Sequence, residues 1–228
     1  MNAPQQQTAP VSHENLAHET PRVGRRRLLL GLGAAVTLPL LQGCFPVVAT
    51  GVGAGAAMVA DRRTSGTYVE DEGIEWKVGA RIRERLGDMV HVNVTSYNRN
   101  VLLTGEAPSE NMRDQLNEIV AGVENVRGIV NEVAVGPEST LTARANDTLI
   151  TSNVKARFVD AQRFSAHSVK VVTEANVVFL LGIVTRAEGD AAAEIARTSK
   201  GVRKVVRVFE YISEEEARRR DTLTSGQR

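Results

Sequence analysis

The sequence predicts an α+β protein: two tandem α-β-β-α-β units, each a small mixed three-stranded sheet covered by two helices, behind a signal peptide and a flexible tether. Three observations carry this. Blocks of sequence recur at a nearly constant offset, which marks an internal repeat. Within each block the apolar spacing switches between helical and strand periods. Ahead of both units a basic cluster runs into a short apolar stretch that ends at the chain's one cysteine. The segments are a signal peptide over 1–43, a tether over 44–67, units over 68–137 and 138–213, and a charged polar tail over 214–228.

Arg25-Arg26-Arg27 precedes the apolar run from Leu28, the pattern of a secretory leader. The 14 residues from Leu28 to Leu41 are too few for the ~20 that a bilayer span needs. The run closes on Leu41-Gln42-Gly43-Cys44, which resembles the lipobox of bacterial lipoproteins. That resemblance implies cleavage after Gly43, acylation of Cys44 and, because Phe45 rather than an Asp follows, sorting to the outer membrane. Arg26-Arg27-Leu28 suits either twin-arginine or general export, and Val23 as well as Met1 is a candidate start. Residues 49–60 are rich in Gly and Ala and Asp61-Arg62-Arg63-Thr64-Ser65-Gly66 is polar, so both read as tether.

Helix one of each unit has apolar residues at i, i+4 and i+8: Ile74, Val78 and Ile82, then Ile150, Val154 and Phe158 at an offset of 76. Asn146 or Asp147 is the expected N-cap of the second copy, and Asp71-Glu72 the acidic start of the first. Strand one alternates as Val90-x-Val92-x-Val94 and Val169-x-Val171. Polar turns at Asn98-Arg99-Asn100 and Glu174-Ala175-Asn176 then predict hairpins into strand two. Strand two, Val101 to Gly105 and Val178 to Gly182, closes on a glycine suited to a kink or a close backbone approach. Helix two is expected over about Ser109–Ala121 and Arg186–Ser199, with Gly122 and Gly201 as stops. Strand three is expected near Val126–Val135 and Val205–Ile212, returning by a right-handed crossover.

The V-x-L-x-G strand and the G-V-x-x-V corner, Gly122 to Val126 and Gly201 to Val205, occur in both copies. This pattern resembles the BON domain of bacterial osmotic-shock and nodulation proteins, over roughly 68–213. With the lipobox ahead of it, the chain resembles the dual-BON outer-membrane lipoproteins. That resemblance implies a lipid-anchored protein at the periplasmic face of the outer membrane that binds phospholipid through the first helix of its second domain and serves envelope integrity.

Composition narrows the chemistry. The net charge of +1 excludes a strongly basic nucleic-acid binder on bulk charge, and one cysteine excludes an intrachain disulfide framework. His91 and His167 occupy corresponding places near the start of strand one and read as structural. No motif asks for catalysis, a cofactor or a metal, and the expectation is a non-enzyme. The halves differ in charge: 68–137 holds 7 Lys+Arg against 12 Asp+Glu, net −5, and 138–213 holds 11 against 8, net +3. A basic domain near a membrane attracts anionic head groups such as phosphatidylglycerol.

Helical geometry puts Leu149 about 140° from the core-facing Val154, on the outer face with Asn153 and Ala156. Lys155 follows on the same helix, its stem able to spread over lipid while the ammonium reaches phosphate. Thr148, Leu149, Ser152, Asn153, Lys155 and Ala156 are therefore the candidate lipid-binding residues, and Cys44 the lipidation site. Trp76 falls off the core face of the first copy and is expected to pack between the two domains. The alternative function is a periplasmic scaffold whose partner is another envelope protein.

Overall fold

A computed structural model describes residues 61–225. Cys44, the signal peptide and the stretch 44–60 lie outside the described residues.

The first unit runs α1 (Ser65–Leu86), β1 (His91–Tyr97), β2 (Asn100–Ala107), α2 (Glu110–Ala121), β3 (Gly128–Asn131) and β4 (Ala134–Val135). The second runs α3 (Leu141–Ala161), β5 (Val169–Glu174), β6 (Val177–Val184), α4 (Arg186–Arg197) and β7 (Lys204–Tyr211), and α5 (Glu214–Ser225) follows. In each sheet the middle strand pairs antiparallel with the strand before it and parallel with the strand after the helix: β1-β2-β3 and β5-β6-β7. The expected third strand of the first unit is broken. Asn131 turns its side chain back, accepting the Val133 N–H at 3.1 Å and donating to the Arg113 carbonyl at 2.9 Å. Val133 thereby drops into the core, and the short β4 resumes pairing with β2.

Each unit has its own core on the helix side of its sheet. Ile74, Val78, Ile82 and Leu86 of α1 meet Val101 and Leu103 of β2 and Leu116, Ile119 and Val120 of α2. Ile150, Val154 and Phe158 of α3 meet Val178, Leu180 and Val184 of β6. There α4 contributes mainly alanines, and the volume is made up by Phe158 stacked edge-on against Phe164 at 5.0 Å. The strand glycines are needed for close approach. A Cβ on Gly105, which has φ +113°, would lie 2.1 Å from the His91 carbonyl oxygen, and one on Gly182 would lie 2.5 Å from that of Ser168. Both lie inside their strands rather than at the ends.

The helix starts differ from expectation. Thr64 caps α1 and Thr140 caps α3, so Asp71 and Asp147 fall more than one turn inside their helices and are buried. Each is turned inward to hold a hairpin. Asp71 accepts the backbone N–H groups of Asn98 at 2.8 Å and Arg99 at 2.7 Å, and Asp147 those of Ala175 at 2.9 Å and Asn176 at 2.8 Å. All four turn residues have positive φ, between 47° and 67°, so the loops are two-residue turns with both positions left-handed. None of the four is Gly. A left-handed L-residue costs roughly 1–2 kcal/mol, and the charge-assisted bonds to the carboxylate offset that cost.

The two sheets dock through the faces turned away from their helices. Tyr97 and Leu102 of the first and Phe179, Leu181 and Ile183 of the second form a third buried cluster, edged by Val130, Val172, Val206 and Val208. Polar bonds close its borders: Asn93 Nδ2 to Glu174 at 2.9 Å, Asn98 Nδ2 to Glu210 at 2.5 Å, and Lys170 to Glu75 at 3.1 Å. Trp76 takes no part in this interface. It is 71% exposed on the outward side of α1, which corrects the expectation that it packs between the domains. Sheet faces dock here, and helix faces look outward.

The end of the segment expected to be tether is built into this joint. Arg62 donates to the Ile183 carbonyl at 3.1 Å, to both oxygens of Glu188 at 2.6 and 2.9 Å, and to both oxygens of Asp221 on α5 at 2.8 and 2.9 Å. Arg63 pairs with Asp61 at 2.6 Å and Asp71 at 2.7 Å and lies 4.1 Å above the Tyr97 ring. Burial by itself would raise the Glu188 carboxyl, but the Arg62 bonds override it and hold that carboxyl below the usual range. Residues 61–63 are therefore anchored, and the 64–67 stretch is the cap and first turn of α1. The tail is likewise partly docked, with Ala217 buried and Asp221 on Arg62.

Candidate lipid-contact face

The helical register that buries Ile150, Val154 and Phe158 fixes the opposite side of α3. All six predicted residues, Thr148, Leu149, Ser152, Asn153, Lys155 and Ala156, stand exposed there. The structure adds two that the prediction missed, Leu141 at the start of the helix and Val159 near its end. Leu141 is 81% exposed, Leu149 69% and Val159 60%. Positions 141, 145, 149, 152, 156 and 159 recur at spacings of three and four, so these apolar groups and the intervening Ala145, Ser152 and Ala156 form one stripe. The missed residues were legible once the helix was known to extend from 141 to 161; the misplaced N-cap hid the first of them.

The polar side chains on the stripe are internally satisfied. Thr148 Oγ1 donates to the Arg144 carbonyl at 3.0 Å and Ser152 Oγ to the Thr148 carbonyl at 3.0 Å. Their hydroxyls face the helix backbone, so placing this surface against lipid strips few hydrogen bonds from water.

A basic corner flanks the helix. The turn after α4 carries Lys200 and Arg203 and leads into Lys204 of β7, and it is pinned against Ile150 of α3. A Cβ on Gly201, with φ +88°, would lie 3.0 Å from Ile150 Cγ1, and the Arg203 N–H donates to the Asn176 carbonyl at 2.9 Å. Neighbouring Arg197 and Arg207 are neutralised by Glu194 and Asp190, whereas Lys155, Lys200, Arg203 and Lys204 make no ion pair among the described residues. The corresponding positions of α1 are Glu72, Gly73 and Trp76 where α3 has Thr148, Leu149 and Ser152. The repeat is thus symmetric in fold and asymmetric in this surface.

The two histidines do not converge. His91 Nδ1 lies 3.0 Å from Glu106 Oε2 at the edge of the first sheet, and His167 is exposed in the single turn Ala166–Ser168. Among the described residues no group of three or more His, Cys, Asp or Glu is placed to hold a metal ion. No helix among them is long and apolar enough to cross a membrane.

The BON domain family model matches residues 71–137 and 146–213, more than half of the chain. The protein belongs to the BON-domain family. It is 38% identical to the outer membrane lipoprotein DolP of Haemophilus influenzae over 82% of this chain and 96% of that protein. It is 36% identical to the 21 kDa hemolysin of Actinobacillus pleuropneumoniae over 67% of this chain and 79% of that one. With the osmotically-inducible protein Y of Escherichia coli it shares 28% identity over 68% of this chain and 80% of that one. None of these three names is that of an enzyme. The match to DolP along nearly its whole length supports an outer-membrane lipoprotein of the BON family.

Proposed function

We propose that the protein is held by lipidated Cys44 at the periplasmic face of the outer membrane and binds anionic phospholipid through α3, helping to maintain the envelope. The observation that carries this is the α3 stripe: three exposed aliphatic side chains on one helix face and internally bonded hydroxyls between them, on a domain whose Lys155, Lys200, Arg203 and Lys204 make no ion pair among the described residues. Fully burying a Leu or Val is worth roughly 1.5–3 kcal/mol, and each Lys or Arg near an anionic surface about 1 kcal/mol. Aliphatic insertion and charge then contribute comparably. The first domain, net −5, lacks the basic charge beside its outward helix face, and it serves to hold the second through the docked sheets. No covalent chemistry is involved: the residues bind and orient.

The test is co-sedimentation of the unlipidated 60–228 fragment with phosphatidylglycerol and phosphatidylcholine vesicles. Binding should favour phosphatidylglycerol and weaken as salt shortens the screening length. Leu149→Glu should lower affinity by about 2–3 kcal/mol, roughly 30- to 150-fold, through lost insertion and added like charge, with the melting curve unchanged. Equal binding to both vesicles, or full binding by folded Leu149→Glu, removes α3 as the lipid site. In the full chain, Cys44→Ala should abolish acyl labelling.

A further inference from the structure

Helix α1 presents a second outward apolar face, on the first domain and outside the lipid reading. Gly66, Val69, Gly73, Trp76 and Ala80 recur at alternating spacings of three and four, the a/d repeat of a helix seam. Val69 is 65% exposed and Trp76 71%. Beside them Gly66, Gly73 and Lys77 line an open groove, and a Cβ on Gly73 would meet nothing within 4 Å. An indole and an isopropyl group exposed on one helix face two turns apart, with a notch with no side chain between them, are a surface shaped for another helix.

We propose that this face is the seam of a two-fold dimer in which α1 of a second copy runs antiparallel. Size and charge both select that occupant. Setting Gly73 against Trp76 of the second copy sets Val69 against Ala80 of the second copy in the same register, so each large side chain meets a small one, twice over. A parallel pair would stack Trp76 on Trp76 and leave Gly73 facing Gly73. Along α1 the acidic Glu70 and Glu72 precede the basic Lys77, Arg83 and Arg85, among which Glu84 is the one acid, so an antiparallel partner opposes unlike ends. At the flank of the seam this register brings Glu70 of each copy beside Lys77 of the other. Among the described residues Glu70 accepts only from the neutral Asn125 amide at 2.7 Å, which leaves its charge uncompensated by them. One helix pair buries less than the ~1,200–2,000 Å² of stable complexes, so the dimer is weak and needs high local concentration.

The experiment is oxidative cross-linking in cells making the full chain. Glu70→Cys and Lys77→Cys introduced together should give a disulfide-linked species of twice the mass on non-reducing gels. Each single variant should give far less, because the register holds 70 away from 70 and 77 away from 77; the unsubstituted chain supplies the background. Adding Gly73→Arg to the double variant should abolish the dimer band. That position opens on empty space within the protomer, so far-UV circular dichroism and the melting curve should be unchanged. The proposal is overturned if the double variant gives no dimer, if single variants cross-link equally well, or if the band survives a folded Gly73→Arg protein.

Discussion

Replacing Phe179 by Ala tests whether the two domains are one thermodynamic unit. Phe179 belongs to the second domain by sequence, but its ring is 2% exposed and sits in the cluster between the sheets with Leu102 and Tyr97 of the first. An aromatic side chain buries roughly 150–250 Å², worth about 4–6 kcal/mol at ~25 cal/mol per Å². Truncations of buried Phe to Ala cost about 3–5 kcal/mol. The expected loss is therefore about 4 kcal/mol, a sizeable part of the 5–15 kcal/mol that holds typical domains folded. The helix-side cores, which do not include Phe179, remain packed. The assay is native-state hydrogen exchange read separately on Val101–Leu103 of β2 and Val178–Leu181 of β6. If docking couples the domains, both sets lose protection by about the same factor, near 10³ for 4 kcal/mol. Unchanged exchange in β2, with the loss confined to β6, would refute the argument and show two independently stable domains in contact.

The hairpin-holding carboxylates should differ in a defined order. Asp147→Asn keeps one acceptor for the Ala175 and Asn176 N–H groups and should cost about 1.5–3 kcal/mol in urea unfolding. Asp71→Asn also strips Arg63 of a buried partner and should cost more, about 3–5 kcal/mol; equal costs would show that the Arg63 pair contributes nothing. Burial, then the nearby Glu106 and Asp147 charges, push the Glu174 carboxyl up, against the opposing bond from Asn93. A folded pKa above the unfolded value means that the stability Glu174 contributes is present below the ordinary Glu range and lost as pH rises through the folded pKa. Glu174→Gln should accordingly unfold at a higher urea concentration than the parent at pH 7.5 and at the same concentration near pH 3, and a lower midpoint at pH 7.5 would contradict this.

What the sequence by itself determined is local and periodic. The i, i+4, i+8 spacing of Ile74, Val78 and Ile82, and of Ile150, Val154 and Phe158, specified both the core side of helix one and its outward side. The six α3 candidates were legible for that reason: once one face of a helix is buried, the opposite face follows from 3.6 residues per turn. The repeat offset of 76 also relates Asp71 to Asp147, a signal that was present but outweighed by the frequency of Asp at helix starts. Tertiary structure decided the rest. Val178 to Leu181 reads as a strand apolar on both faces, and no residue within it says whether a helix, a second sheet or another chain covers the far side. The covering proved to be the other copy's sheet, which left Trp76 outside. Arg62 and Arg63 looked like tether because charged residues are seldom buried without partners. Asp61 and Asp71 lie near Arg63 in sequence, but Glu188, Asp221 and the Tyr97 ring lie 34 to 159 residues away, where only folding brings them within reach.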